Sequence, residues 1–347
     1  MKQEKLIFIY PKLFTFIRTE IKILENDYKV ISINQNWSNK IFLPLNFIIQ
    51  LFFLIINFYN SKIILISFGG YWSFLPSLFG RIFNKKVAIV VHGTDCVSFP
   101  EINYGNLRNP FMSWFIKKSY QFSNIILPVS DSLVYTENNY YSDKILKFGY
   151  TYHLRNIKTP YKVIPNGIIV DDWQINCNEK ETNSFITVMT DDQIKRKGGD
   201  LIIEAAKELS HCTFYFAGTN CFYSQDNLPE NIIFLGRLSP YDLNNYYNKT
   251  KFYLQLSNFE GFGVAICEAM LCECIPIVSN VNFLPEIIGN SGFILNKRNK
   301  NMLVDLIHKA LSSNTEKLSK LSRDRIKKEF HVSKRKEMLI STLKDLK

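Results

Sequence analysis

Along the 347-residue chain, short runs of β-branched and aromatic residues alternate with stretches whose apolar positions recur every three or four residues. Runs of the first kind read as buried strands and the second as amphipathic helices. Their alternation predicts parallel sheets with crossover helices, the α/β doubly wound class. Strands are expected at Leu6–Tyr10, Lys29–Ile33, Ile63–Phe68, Val87–Val91, Ile125–Val129 and Tyr161–Ile164. A second series begins at Phe185 with FITVMT and continues through CTFYFAG, NIIFLG, KFYLQLS, CIPIVS and GFIL. Between the two series, residues 171–183 are polar and follow neither period. The expected organisation is therefore a first domain over 1–170, a linker over 171–183, and a second domain over 184–320. Charged helices over 321–347, with 9 basic and 4 acidic residues, are available to pack back on the first domain.

One stretch departs from the alternation. Ile41 to Ser61 carries no charge and is long enough to be a membrane-span candidate. At 100° per residue, Asn46, Gln50 and Asn57 fall within about 40° of one another, so a helix here has one thin polar stripe on an apolar cylinder. Three readings stay open: burial against a sheet, residence in a membrane interface, or a span. A span would strand the first forty residues across the bilayer.

Composition sharpens this reading. With 46% hydrophobic and 21% charged residues the chain can fill two cores. The net charge of +11 is uneven: residues 1–170 hold 19 basic and 9 acidic side chains, residues 171–347 hold 23 and 22. Either the basic half faces an anionic surface, or the excess only reflects a Lys-, Asn- and Ile-rich composition. No nucleic-acid-binding signature accompanies the charge, so no nucleic-acid partner is expected. Seven cysteines with no CxxC pair and no zinc spacing point to reduced thiols in a cytoplasm. The six-residue apolar run near the N-terminus is too short for a signal peptide core, so no export is expected.

In doubly wound folds ligands bind beyond the carboxyl ends of the strands. There, KFYLQLS leads into a loop with Glu260, Gly261, Phe262 and Gly263, and a helix begins at Val264. The glycines permit close backbone approach, and the first amides of the helix suit an anion such as phosphate. Glu260 and Glu268 would then serve sugar hydroxyls. A second loop follows FITVMT, where Lys195, Arg196 and Lys197 precede Gly198 and Gly199, with Asp200 a candidate N-cap. These cations can neutralise a diphosphate, although a solvated charge run has the same appearance.

The segment from Glu260 to Met270 resembles the E-x7-E signature of retaining GT-B glycosyltransferases, specifically glycosyltransferase family 4, the group 1 transferases. Six further segments agree in order: ValHisGlyThrAsp at 91–95, ProValSer at 128–130, ValIleProAsnGlyIle at 163–168, LysGlyGlyAsp at 197–200, PheLeuGly at 234–236 and LeuProGluIleIle at 284–288. The resemblance implies two Rossmann-like domains facing across a cleft, acceptor first and donor second. It gives Lys197 and the backbone of Gly263 and Val264 the donor diphosphate, Glu268 the ribose and Glu260 the transferred sugar. It places His92 near sugar and acceptor with Asp95 beside it, unless His92 simply satisfies nearby carbonyls. Ser130 would cap a helix start.

Departures are equally specific. The family's Arg five residues before the Lys is Asp192 here, so Arg196 or Lys195 supplies the second phosphate charge or donor binding weakens. Asn282 and Phe283 replace a small-residue pair, and Glu273 replaces a glycine after the helix. The usual glycine loop after the first strand is absent, leaving Gly69 and Gly70 as acceptor-side candidates. No Asp-x-Asp or other metal-ligand spacing is present, so metal-independent transfer with no cofactor is expected. What the resemblance implies is sugar transfer, with retention, from a nucleotide-diphosphate donor to a glycan or lipid-linked acceptor; the basic first half and the Ile41–Phe58 stretch suggest a place in the cytoplasm at the inner membrane face. An epimerase on the same fold, or a binding protein that has lost turnover, is the alternative.

Overall fold

The computed structural model describes residues 3–59, 61–176, 179–220 and 228–346. The chain divides into two compact units. One comprises Met1–Thr136, Lys147–Gly167 and Ser333–Lys347, and the other Glu137–Leu146 and Ile168–Val332. The boundaries thus fall near 167 and 332, where the sequence placed them at 170 and 320.

In chain order the first elements are β1 (Glu4–Tyr10), α1 (Thr15–Glu25), β2 (Tyr28–Asn34), α2 (Leu43–Asn57), β3 (Ser61–Ser67) and α3 (Tyr71–Ile82). There follow β4 (Lys86–Val91), α4 (Pro110–Phe122), β5 (Ile125–Pro128), two short strands β6 (Thr136–Asn138) and β7 (Leu146–Phe148), and α5 (Tyr150–His153). The sheet of this unit is parallel, in the order β2-β1-β3-β4-β5. Its central strands read as unbroken apolar runs because helices cover both faces. Right-handed crossovers put α1 on one face and α2, α3 and α4 on the other, since the chain reverses direction across the sheet after β2.

Tyr161–Ile164, expected as a strand, makes only an isolated bridge beside β5. The Ile126 N–H donates to Pro160 O at 2.9 Å and the Ile164 N–H to Pro128 O at 2.9 Å. Flanking Pro160 and Pro165 lack donors, so the pairing does not grow into a ladder. Ser130 does not cap the helix start with its side chain, and its Oγ instead lies 2.9 Å from Ser132 Oγ.

Of the three readings open for this stretch, burial against the sheet does not hold for helix α2. It is the one helix among the described residues long and apolar enough to cross a membrane, yet little of it is buried. The buried side is the polar stripe, with Asn46 and Gln50, joined by Leu54. Asn46 Nδ2 donates to Asn36 O at 2.8 Å, and Gln50 Nε2 to Trp72 O at 3.0 Å. Asn60, in the same stretch, lies outside the described residues.

The second unit contains β8 (Glu181–Val188), α6 (Ile194–Lys197), α7 (Gly199–Ala206), β9 (Thr213–Ala217), β10 (Ile232–Gly236), α8 (Pro240–Lys249) and β11 (Thr250–Gln255). It continues with α9 (Val264–Leu271), β12 (Ile275–Ser279), α10 (Leu284–Ile288), β13 (Phe293–Leu295), α11 (Lys300–Leu311) and α12 (Thr315–Glu329). Its parallel sheet runs β10-β9-β8-β11-β12-β13. Phe185 on β8 stacks between Phe214 on β9 and Phe252 on β11, each at 5.0 Å, so a row of rings crosses the sheet centre.

The last helix, α13 (Val332–Asp345), lies almost wholly in the first unit. There Arg335 donates to both carboxylate oxygens of Glu20 on α1, at 2.7 and 2.9 Å, and to the carbonyls of Ile164 and Pro165. The side chains of this pair are 4% and 6% exposed. The five described cysteines, Cys96, Cys212, Cys267, Cys272 and Cys274, are free and buried, while Cys177 and Cys221 lie outside the described residues.

Glu273, where the family has glycine, closes α9 with φ +61°. A left-handed residue with a Cβ costs about 1 kcal/mol or more relative to glycine. Glu273→Gly is therefore expected to stabilise the fold by about 0.5–1 kcal/mol, read as a higher midpoint in urea unfolding. An unchanged or lower midpoint would show that the backbone there is unstrained.

Candidate active site

In the second unit the chain proceeds from β8 outward through β9 and β10, then returns to β11 on the other side of β8. The loops after β8 and β11 therefore diverge at a topological switch point, where an open α/β sheet leaves a crevice. The two loops are stitched together. The Asn258 N–H donates to Arg196 O at 2.7 Å, and Asn258 Nδ2 to Lys195 O at 2.7 Å. Gly198 makes this approach possible: it has φ +74°, and a Cβ there would lie 2.3 Å from Leu256 O. Gly263, at φ +109°, turns the second loop into α9, whose first amides are left without helical partners.

Lys197 and Glu268 define the charge of the site. Lys197 Nζ donates to Val188 O at 2.9 Å. Burial lowers its pKa to about 8, with Arg196 adding to the effect and Glu260 and Glu268 opposing it. Burial raises the Glu268 carboxyl to about 8, against the pull of Lys197. Each group's charge favours ionisation of the other, and desolvation opposes it in both.

Glu260 sits differently. Its Oε2 accepts from Gln255 Nε2 at 3.0 Å, Ser257 Oγ at 3.2 Å and Arg196 Nη1 at 3.3 Å, while its own N–H donates to Asn282 Oδ1 at 3.1 Å. Three donors fix the position of this carboxylate oxygen. Arg196 also donates to Phe259 O at 3.2 Å. Gln255 and Ser257 were not singled out in the sequence, and Asn282 only as a departure from the family pattern. The signal available was a glutamine at the end of an apolar strand and, at 282, an asparagine that holds φ +50°.

Other candidates are placed as follows. The Phe262 ring is buried against Phe283 at 5.7 Å and Phe330 at 5.5 Å, so its side chain belongs to an aromatic core and only its backbone is available to a ligand. Asp192 accepts from Thr190 Oγ1 at 2.5 Å and is exposed, as is Lys195. Asp200 is not the N-cap of α7. Gly198 holds that position, and Asp200, in the first turn, pairs with Arg298.

The acceptor-side candidates lie in the first unit, at the carboxyl ends of β3 and β4. His92 Nε2 is 2.9 Å from Ser67 Oγ, and its ring lies against Phe68 at 4.4 Å and Phe16 at 4.7 Å. Burial, with Arg335 adding, holds its pKa well below the usual imidazole value, so the ring is neutral near pH 7. Phe68 adopts φ +62°, an uncommon conformation for an aromatic residue. Asp95, expected beside His92 in a catalytic role, is fully enclosed. It accepts from the backbone of Gly69, His92 and Gly93 and from Tyr120 Oη, which makes it the residue that holds this loop. A Cβ on Gly69 would meet Ile116 and Tyr120 at 2.9 Å, and one on Gly70 would meet Trp72 at 2.4 Å, so close packing accounts for both glycines. Among the described residues no cluster of three or more His, Cys, Asp or Glu side chains is arranged to hold a metal ion.

Two parallel-sheet units, the second with cationic and acidic loops at its switch point, are the architecture of the GT-B fold. Residues 172–328 match the family model described as glycosyl transferases group 1. The chain is 27% identical over 311 residues to an uncharacterized glycosyltransferase of Methanocaldococcus jannaschii, covering 85% of this chain and 79% of that protein. It is 29% identical over 208 residues to the alpha-galactosylglucosyldiacylglycerol synthase of Streptococcus pneumoniae, covering 54% and 53%. In fold it is similar to sucrose-phosphate synthase of Thermosynechococcus elongatus, with TM-score 0.77, 13% identity and 99% of both chains covered. It is also similar to HepE of Anabaena in complex with UDP-glucose, with TM-score 0.71, 15% identity and 99% and 100% covered. The second unit thus matches the group 1 glycosyltransferase family model, and the chain as a whole has a GT-B-type fold.

Proposed function

We propose that the protein transfers a sugar, with retention and without a metal, from a nucleotide-diphosphate donor to a glycan or lipid-linked acceptor in surface polysaccharide or glycoconjugate synthesis on the cytoplasmic side of the cell membrane. The observation that carries this reading is Lys197, a half-buried and poorly solvated lysine at the switch point beside Arg196, Glu260 and Glu268. The diphosphate would lie against Lys197 and the amides of Gly263 and Val264, the ribose against Glu268 and the sugar against Glu260. As the glycosidic bond breaks, charge develops on the leaving phosphate, and a preorganised cation with helix amides stabilises it. Glu260 is held by three donors, which suits binding sugar hydroxyls more than forming a covalent bond to the sugar. The leaving phosphate would take the acceptor proton on the same face. The UDP-glucose complex of the Anabaena neighbour supports a nucleotide-sugar donor. The pneumococcal relative, a diacylglycerol glycolipid synthase by name, supports a lipid-linked acceptor.

A protein that binds donor without turnover has one observation in its favour: Arg196, the stand-in for the family cation at Asp192, is tied to Glu260. Titration calorimetry with nucleoside diphosphates, followed by assay of acceptor-dependent nucleotide release, tests both readings. Affinity is expected to fall as pH rises through about 8, because Lys197 loses its proton and Glu268 gains charge in the same interval. A flat pH profile would remove Lys197 from the site. Binding without acceptor-dependent release would favour the inactive protein.

A further inference from the structure

The outer surface of α2 is the opposite of what a soluble helix presents. Ile41, Leu45, Ile48, Phe52, Ile55, Ile56 and Tyr59 are all exposed, Phe52 at 61% and Ile56 at 78%. Within α2, Leu45, Ile48, Phe52 and Ile55 recur every three or four residues with Ile56 beside them, an outward stripe about four turns long that Ile41 and Tyr59 extend at its two ends. The polar stripe that ought to meet water is instead sealed inward by hydrogen bonds to Asn36 and Trp72 carbonyls. Burying side-chain amides while leaving seven large apolar groups in water is costly unless something apolar covers them.

The charge around the stripe says what that is. From Tyr28 to Thr94 there is no acidic residue, while Lys29, Lys40, Lys62, Arg81, Lys85 and Lys86 are all present. Lys85 Nζ lies 4.4 Å over the Phe58 ring and donates to Phe58 O, and the Arg81 guanidinium lies 5.5 Å over Phe122. Cations so placed at the rim of an apolar face can reach lipid phosphates while their stems stay on apolar surface. On the same side of the sheet, α4 adds exposed Phe111 and Trp114. A second copy of this chain would bring like charge to the same patch.

We propose that α2 is a membrane-docking helix that lies in the plane of an anionic bilayer, its Ile41–Tyr59 stripe at the boundary of headgroups and acyl chains. It does not span. β2 and β3, which precede and follow it, both pair with β1 and so lie on the same side of any membrane. This inference is independent of the sugar-transfer reading, since it rests on the first unit alone.

The test uses the full chain and sedimentation with vesicles of phosphatidylcholine, with or without phosphatidylglycerol. Trp114 is a built-in reporter: it is 47% exposed, while Trp37, Trp72 and Trp173 are buried. Anionic vesicles are expected to capture the protein, and brominated phosphatidylcholine in them to quench its emission. The double substitution Phe52→Glu, Ile56→Glu should weaken capture at least about tenfold, by loss of apolar insertion. Both positions are exposed, so its thermal midpoint should match the parent's. Undiminished capture of the double variant overturns the proposal, as does equal capture by neutral vesicles. So does failure of the parent to bind anionic vesicles while the variant dissolves a dimer, which would assign the stripe to a second copy.

Discussion

Replacing Lys197 by alanine is expected to lower kcat/KM for sugar transfer by about a thousandfold, with kcat carrying most of the loss, because the missing charge acts most strongly where the leaving group becomes most negative. The same substitution should leave the fold no less stable near neutral pH. Folding lowers the pKa of this group to about 8, so below that value the folded protein holds an ammonium that the unfolded chain would solvate better. That penalty is full below about 8 and vanishes only above the ordinary lysine value, where both states are neutral. A melting curve measured beside the kinetics separates the two effects. A variant that loses activity together with its fold would show that Lys197 is structural, and one that keeps activity would remove it from the mechanism.

Glu20→Ala should be the most damaging single change to stability, costing about 3–5 kcal/mol through an unpaired buried guanidinium. Arg335 would keep only the carbonyls of Ile164 and Pro165 as partners. Exchanging both partners for apolar residues, as in Glu20→Leu with Arg335→Met, should recover much of the loss, because no charge is then left stranded. Urea unfolding of the three variants checks this. A loss below about 1 kcal/mol for Glu20→Ala would place the pair in the class of exposed ion pairs.

The strands of both sheets were readable because parallel strands covered on two faces leave continuous apolar runs, and eleven of the twelve expected runs lie in strands. Tyr161–Ile164 has the same composition but is bracketed by prolines, which periodicity does not weigh. Helix α2 shows a deeper limit. Its stripe was visible from spacing alone, but which side faces inward depends on carbonyls of Asn36 and Trp72, the second more than twenty residues away in sequence. In the site, Lys197, Glu260 and Glu268 stood out because glycines and strand ends flank them. Gln255 and Ser257 did not, and Asn282 stood out only as a departure from the family pattern, since their value lies in converging on a carboxylate and its backbone from different segments. For the same reason the enclosure of Asp95 and Phe262 could not be read from their motifs.

The union of Glu20 with Arg335 joins residues 315 positions apart, and this bears on how the molecule is made. β1 is synthesised before the second unit, yet the unit that contains β1 stays incomplete until α13 has been made. The second unit has no such dependence and can consolidate earlier. A nascent chain halted before Ser333 would carry the Glu20 carboxylate on α1 without the guanidinium that pairs with it.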